Sequence, residues 1–178
     1  MAFADRHPDR TASLVLVSAP PPSWTPDARV RFFLRAPRLL TPLFMLGSLR
    51  MYPEFAAASS GIGPSLRMAV SHAWRALTHM YSPSRMAGRV GLLESIDRRR
   101  DVSRITTPTL VVTGEPALDR VVPVAATLQY ARLWPHAVVA TLAHTGHLGL
   151  TTRPKAFAGL LVPFAEQAAQ ANTRRQVG

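Results

Sequence analysis

The chain has no cysteine, which excludes disulfides, thiol nucleophiles and cysteine-based metal sites. It has one lysine, Lys155, so arginine carries nearly all of the basic charge behind the formal net charge of +11. Those arginines are scattered. The tight run Arg98-Arg99-Arg100 is bracketed by Asp97 and Asp101, the pattern of a solvated connection. No basic stripe with interleaved aromatics occurs, so no nucleic-acid partner is expected. No stretch approaches the roughly 18 uninterrupted apolar residues needed to span a bilayer. The first ten residues carry Asp5, Arg6, Asp9 and Arg10, which is wrong for a signal peptide. The expectation is a soluble, cytoplasmic protein with no membrane partner. Paired metal-ligand spacing is missing too. His72, His79 and His136 stand apart from other ligands, so neither a metal nor a cofactor is implied.

What is present suits one packed core: 178 residues, 47% of them apolar. Residues 1 to 10 read as the last turns of a helix, ending before Pro8. Residues 13 to 18 form a short, nearly all-apolar strand, as in a parallel sheet covered on both faces. The run Ala19 to Pro26 is too rich in proline for a regular element. From Ala28 to about Arg100 the pattern is helical. Leu66, Ala69, Val70, Ala73, Trp74, Leu77 and Met80 give one apolar face over Ser65 to Met80. Met86, Val90, Leu93 and Ile96 do the same over Pro83 to Ile96, with Ser82 as cap. Met45, Met51, Tyr52, Phe55, Met68, Trp74, Met80 and Tyr81 are either packing between these helices or the lining of an apolar pocket.

Strand 109 to 113, a helix over roughly 123 to 133, strand 137 to 142 and a helix over 154 to 170 complete the pattern. The fold class is therefore α/β, with three parallel strands expected side by side. The first of these later strands ends at Gly114 with Asp119 in the following loop. The second ends in a loop carrying Gly146-His147. An acid after one strand and a histidine after the next suit a catalytic pair, because open α/β sheets gather ligands beyond the carboxyl ends of their strands. A histidine can take a proton from a nucleophile and return it to a leaving group. An acid on its far side fixes the tautomer.

The order strand-Gly-acid, Val121-Val122-Pro123, helix, strand-Gly-His, helix resembles the C-terminal third of the α/β-hydrolase family. The start of the chain extends the resemblance: Arg6-His7-Pro8-Asp9-Arg10 before Leu14-Val-Leu-Val-Ser18 is similar to the segment after the family's nucleophile elbow. The family's triad runs nucleophile, then acid, then histidine. The resemblance implies a partial α/β-hydrolase fold, with core segments 1–18 and 101–170 and a helical cap over 19–100, while the polar composition of 171–178 suggests a disordered tail. It implies Asp119 and His147 as the acid and histidine. Four residues separate Gly114 from Asp119 where two are commoner in the family, so Glu115 stands as a rival acid. His144 competes for the histidine role, and His7 matches a non-catalytic family position.

No G-x-S-x-G occurs in the 178 residues. Gly63-Pro64-Ser65-Leu66-Arg67 comes nearest, without the second glycine and out of order. Counting back along the family pattern places the elbow serine about seven residues before Met1. The oxyanion donors of the family are absent with it. The expected function is that of a hydrolase fragment, inactive and poorly stable alone. The intact protein would cleave an ester, amide or C–C bond of a small apolar substrate. Two other readings stand beside it: a non-catalytic ligand- or partner-binding protein, or the C-terminal part of a longer regulator-hydrolase chain.

Overall fold

The computed structural model describes residues 1–21, 23–59, 61–75, 78, 82–95 and 102–177. Its elements in chain order are α1 (Ala2–Arg6), β1 (Leu14–Val17), α2 (Ala28–Arg35), α3 (Thr41–Gly47) and α4 (Tyr52–Ala58). Then come α5 (Ile62–Arg75), α6 (Pro83–Ser95), β2 (Thr109–Thr113), α7 (Val124–Thr127) and α8 (Gln129–Leu133). The series closes with β3 (Val138–Thr141), α9 (Gly149–Thr152) and α10 (Pro154–Val177). The three strands pair in parallel in the order β1-β2-β3, with Leu16 beside Val111 and Val111 beside Val139. This is the arrangement expected from the apolar runs, each strand starting a residue or less inside its expected bounds.

β2 is the centre, and every one of its five residues is buried. Successive strand side chains point to opposite faces, so β2 feeds two cores. On one face, Val111 packs with Ile105, Tyr130 and Trp134. On the other, Leu110 and Val112 pack with Leu142 and with Phe157, Leu160 and Phe164 of α10. Full burial of a side chain such as Val111, Leu110 or Leu142 is worth about 1.5–3 kcal/mol. Trp134 also satisfies its buried indole N–H, which donates to the Val102 carbonyl at 2.7 Å. The flanking strands are less covered: β1 is half-buried, and Val138 and Val139 of β3 are exposed.

The chain divides into two compact units, Met1–Pro22 with Asp101–Gly178, and Ser23–Arg100. The first boundary falls later than the end of the expected strand. Ala19 and Pro20 stay with the sheet unit because their carbonyls accept hydrogen bonds from Thr127 Oγ1 (2.9 Å) and the Tyr130 hydroxyl (2.8 Å). At the other end α10 runs on to Val177, where the polar composition had suggested a disordered tail from 171. Intrahelical i, i+4 bonding carries it on, with the Thr173 hydroxyl donating to the Ala169 carbonyl, and Asn172 Nδ2 reaches the Ala12 carbonyl.

Among its described residues the second unit consists of helices and the turns that join them, with no strand. Asp27 caps α2 by accepting the Val30 N–H at 2.8 Å. Ser82 receives the Arg85 N–H at 3.4 Å before Pro83 opens α6, as the sequence suggested. α5 begins earlier than expected, at Ile62. Its apolar face differs from expectation in one respect. Leu66, Val70 and Trp74 are exposed, and so are Met86 and Leu93 of α6. Helical periodicity identifies an apolar face but does not supply a cover for it. Leu77, His79, Met80, Tyr81, Ile96 and the Arg98–Arg100 run lie outside the described residues.

Candidate active site

β2 and β3 run parallel, so the loops leaving their carboxyl ends emerge on the same side of the sheet. The loop after β2 winds into one turn. The N–H groups of Leu118 and Asp119 both donate to the Glu115 carbonyl, each at 3.0 Å. That turn absorbs the extra residues between Gly114 and Asp119. Asp119 then turns back on the chain, its Oδ1 accepting the N–H groups of Val121 (3.1 Å) and Val122 (2.9 Å).

The loop after β3 is tied to the first one. Leu142 N–H donates to the Thr113 carbonyl, Thr145 Oγ1 to the Leu142 carbonyl (2.6 Å) and Glu115 N–H to the Thr145 carbonyl (2.8 Å). Gly146 is required where the loops touch. A Cβ there would overlap the Leu118 carbonyl and lie 2.8 Å from the Asp119 nitrogen. Gly114 is equally confined, with the Thr145 carbonyl 2.5 Å from any Cβ. Glycine at both positions lets the two backbones close together.

This packing brings His147 to Asp119, with Nδ1 and Oδ1 3.7 Å apart. That is longer than a hydrogen bond and within ion-pair reach. The Asp119 side chain is 1% exposed and that of His147 32%. Nδ1 is buried, so the exposure of His147 lies on the rest of the ring. Burial pushes the Asp119 carboxyl up. His147, the amides of Val122 and Val121, and the Ser18 hydroxyl together outweigh it and hold the group below the usual carboxylate range.

Glu115 is occupied elsewhere: its Oε1 accepts the His144 backbone N–H at 2.7 Å. His144 sits in the left-handed region at φ 58°, a turn residue whose backbone carries the contact. The other described histidines make contacts away from this pair. His7 tilts against the Phe3 ring, His136 Nε2 lies 3.2 Å from the Thr107 carbonyl, and His72 contacts Phe55. Ser65 of the Gly63–Arg67 stretch is no elbow residue. It lies buried in α5, its hydroxyl bonded to the Gly61 carbonyl and to Ser59. Among the described residues no group of three acidic, histidine or cysteine side chains could hold a metal ion, and no helix is long and apolar enough to cross a membrane.

Sequence reasoning did not single out Ser18. It lies at the carboxyl end of β1, 3% exposed, with φ 41°. A polar residue closing an all-apolar strand was the available signal. In the helical unit, Met45, Met51, Tyr52, Phe55 and His72 line a cavity of about 220 Å³. Burial, and then the charge of Arg75, lower the His72 pKa. Trp74 is exposed instead, and Met68 is half-buried.

Comparison with known proteins agrees with this architecture. An alpha/beta hydrolase family model matches residues 1–160. RutD of Pseudomonas syringae pv. syringae (strain B728a), named as a carbamate hydrolase, is 31% identical over 117 residues, covering 66% of this chain and 42% of that protein. Among solved structures, Est816, described as an N-acyl homoserine lactone degrading enzyme, superposes with a TM-score of 0.57 at 23% identity. The match covers 91% of this chain and 61% of Est816. BpoC of Mycobacterium tuberculosis H37Rv, named as a non-heme bromoperoxidase, gives 0.50 at 16%, covering 94% of this chain and 62% of BpoC. The chain thus spans less than two thirds of the length of each of these relatives. With the family model matching most of its length, this chain belongs to the alpha/beta hydrolase family.

Proposed function

We propose that this chain supplies the acid and the histidine of a hydrolytic nucleophile–acid–histidine triad, for cleavage of an ester, amide or C–C bond in a small apolar substrate. The observation that carries the reading is the Asp119–His147 pair itself. A nearly inaccessible carboxylate lies 3.7 Å from the buried Nδ1 of an imidazole whose remaining edge is accessible. In that geometry Asp119 holds the proton on Nδ1 and stabilises the imidazolium, while the opposite nitrogen accepts the nucleophile's proton and returns it to the leaving group. Triad contacts are often long in the absence of substrate and tighten on binding. Residues 1–178 contain no G-x-S-x-G, so in this reading the nucleophile and its oxyanion donors come from sequence preceding residue 1.

The test uses protein expressed from its full natural reading frame, assayed on short acyl esters and on a carbamate ester. Turnover is expected, with His147→Ala lowering kcat by roughly 10³-fold or more. No hydrolysis of either class, or a His147→Ala variant as fast as the parent, would contradict the proposal and favour a non-catalytic binding role.

A further inference from the structure

Among the described residues, the buried side-chain polar atoms without a hydrogen-bond partner are Ser18 Oγ, Asp119 Oδ2 and His147 Nδ1. Two of them answer each other chemically. A serine hydroxyl is a donor in need of an acceptor, and a carboxylate oxygen is an acceptor in need of a donor. Leaving both unmet away from water is costly, so their pairing is favoured wherever reach allows. β1 lies beside β2, and Ser18 N–H donates to the Val112 carbonyl at 3.0 Å, which fixes this serine at the sheet edge from which the Asp119 loop leaves.

The backbone at Ser18 adds a second indication. Its φ of 41° is a left-handed conformation that favours glycine. Serine accepts the strain there and contributes what glycine lacks, a hydroxyl in a site that excludes water. Resting on the triad reading above, we infer that Ser18 is a positioning residue. Its hydroxyl donates to the free Oδ2 of Asp119 and locks the carboxylate plane, while Oδ1 stays held by the Val121 and Val122 amides and turned to His147. Ser18 touches neither substrate nor the reacting atoms. It acts through Asp119, and the ionisation of that group is where its loss is read. The lowered pKa of Asp119, to which Ser18 contributes, agrees with this.

The experiment is a carboxyl ¹³C NMR titration of aspartate-labelled protein from the full natural reading frame, with the Asp119 signal assigned by its loss in Asp119→Asn. Ser18→Gly and Ser18→Ala are compared with the parent, and thermal unfolding is recorded for each. Both variants should move the Asp119 midpoint upward. Ser18→Gly should be at least as thermostable as Ser18→Ala, since it relieves the left-handed strain, so the titration shift will not follow stability. Ester turnover in both should fall roughly three- to tenfold in kcat with KM little changed. An Asp119 midpoint unchanged in both variants, or one that moves only in step with unfolding, overturns the assignment of Ser18. Absence of turnover in the parent overturns the hydrolase reading instead, and the titration still decides whether Ser18 holds the carboxylate.

Discussion

The sheet unit and the helical unit have similar supplies of apolar residues and use them differently. In the first, β2 is buried along its whole length and distributes side chains to two cores, closed by Trp134 and Tyr130 on one face and by α10 on the other. In the second, the apolar faces of α5 and α6 are substantially exposed, and its buried residues include the polar Glu54 and Ser65 besides Phe55. A parallel sheet obliges its neighbours to cover it, because its ladder fixes strand spacing and face. A set of short helices has no such ladder. The comparison teaches where stability and precise geometry should reside: in the unit that holds Asp119 and His147.

The largest effect expected from that contrast comes from two tryptophans. Trp134 is fully buried and hydrogen-bonded, whereas Trp74 is 65% exposed. Trp134→Ala should destabilise by about 3–5 kcal/mol and Trp74→Ala by no more than about 0.5 kcal/mol. Equilibrium denaturation by urea of the two variants checks this, and equal losses would erase the distinction between the units.

A smaller and sharper contrast lies in two glycines. Gly146→Ala forces a methyl into the Leu118 carbonyl and should cost about 1–3 kcal/mol, spreading the Asp119 and His147 loops. Gly88 on α6 has open space around its Cβ position, so Gly88→Ala should stabilise by about 0.5–1 kcal/mol. Thermal unfolding of the pair reads both signs in one experiment.

The weakest expected effect is acid sensitivity. The Asp119 pKa is lowered in the folded protein. The stability linked to it is therefore fully present above the unfolded value near ~3.9 and is lost as pH falls through the folded value. Asp119→Asn should flatten this part of the stability profile in acid denaturation. A parent profile with the same slope as the variant would remove Asp119 from the acid response.

The strands were legible because short apolar runs bounded by proline and glycine leave few alternatives. The pair Asp119 and His147 was legible because each follows such a run at its carboxyl end. Ser18 was not, since sequence cannot say that the residue closing β1 faces a loop leaving β2. The Glu115 question was open for the same reason. The turn of the longer loop is anchored by the Glu115 N–H bond to the Thr145 carbonyl, a partner in another loop. Exposure of the α5 face was equally hidden, because periodicity marks a face without naming its cover.

The central claim is that Asp119, and not Glu115, is the acid that acts on His147. It is tested most directly by kcat for ester hydrolysis in Asp119→Asn and Glu115→Gln, made in protein from the full natural reading frame. The account predicts a loss of roughly 10²–10⁴-fold for Asp119→Asn and near-parental turnover for Glu115→Gln, whose carboxylate serves the His144 amide. A severe loss in Glu115→Gln with Asp119→Asn left active would contradict it.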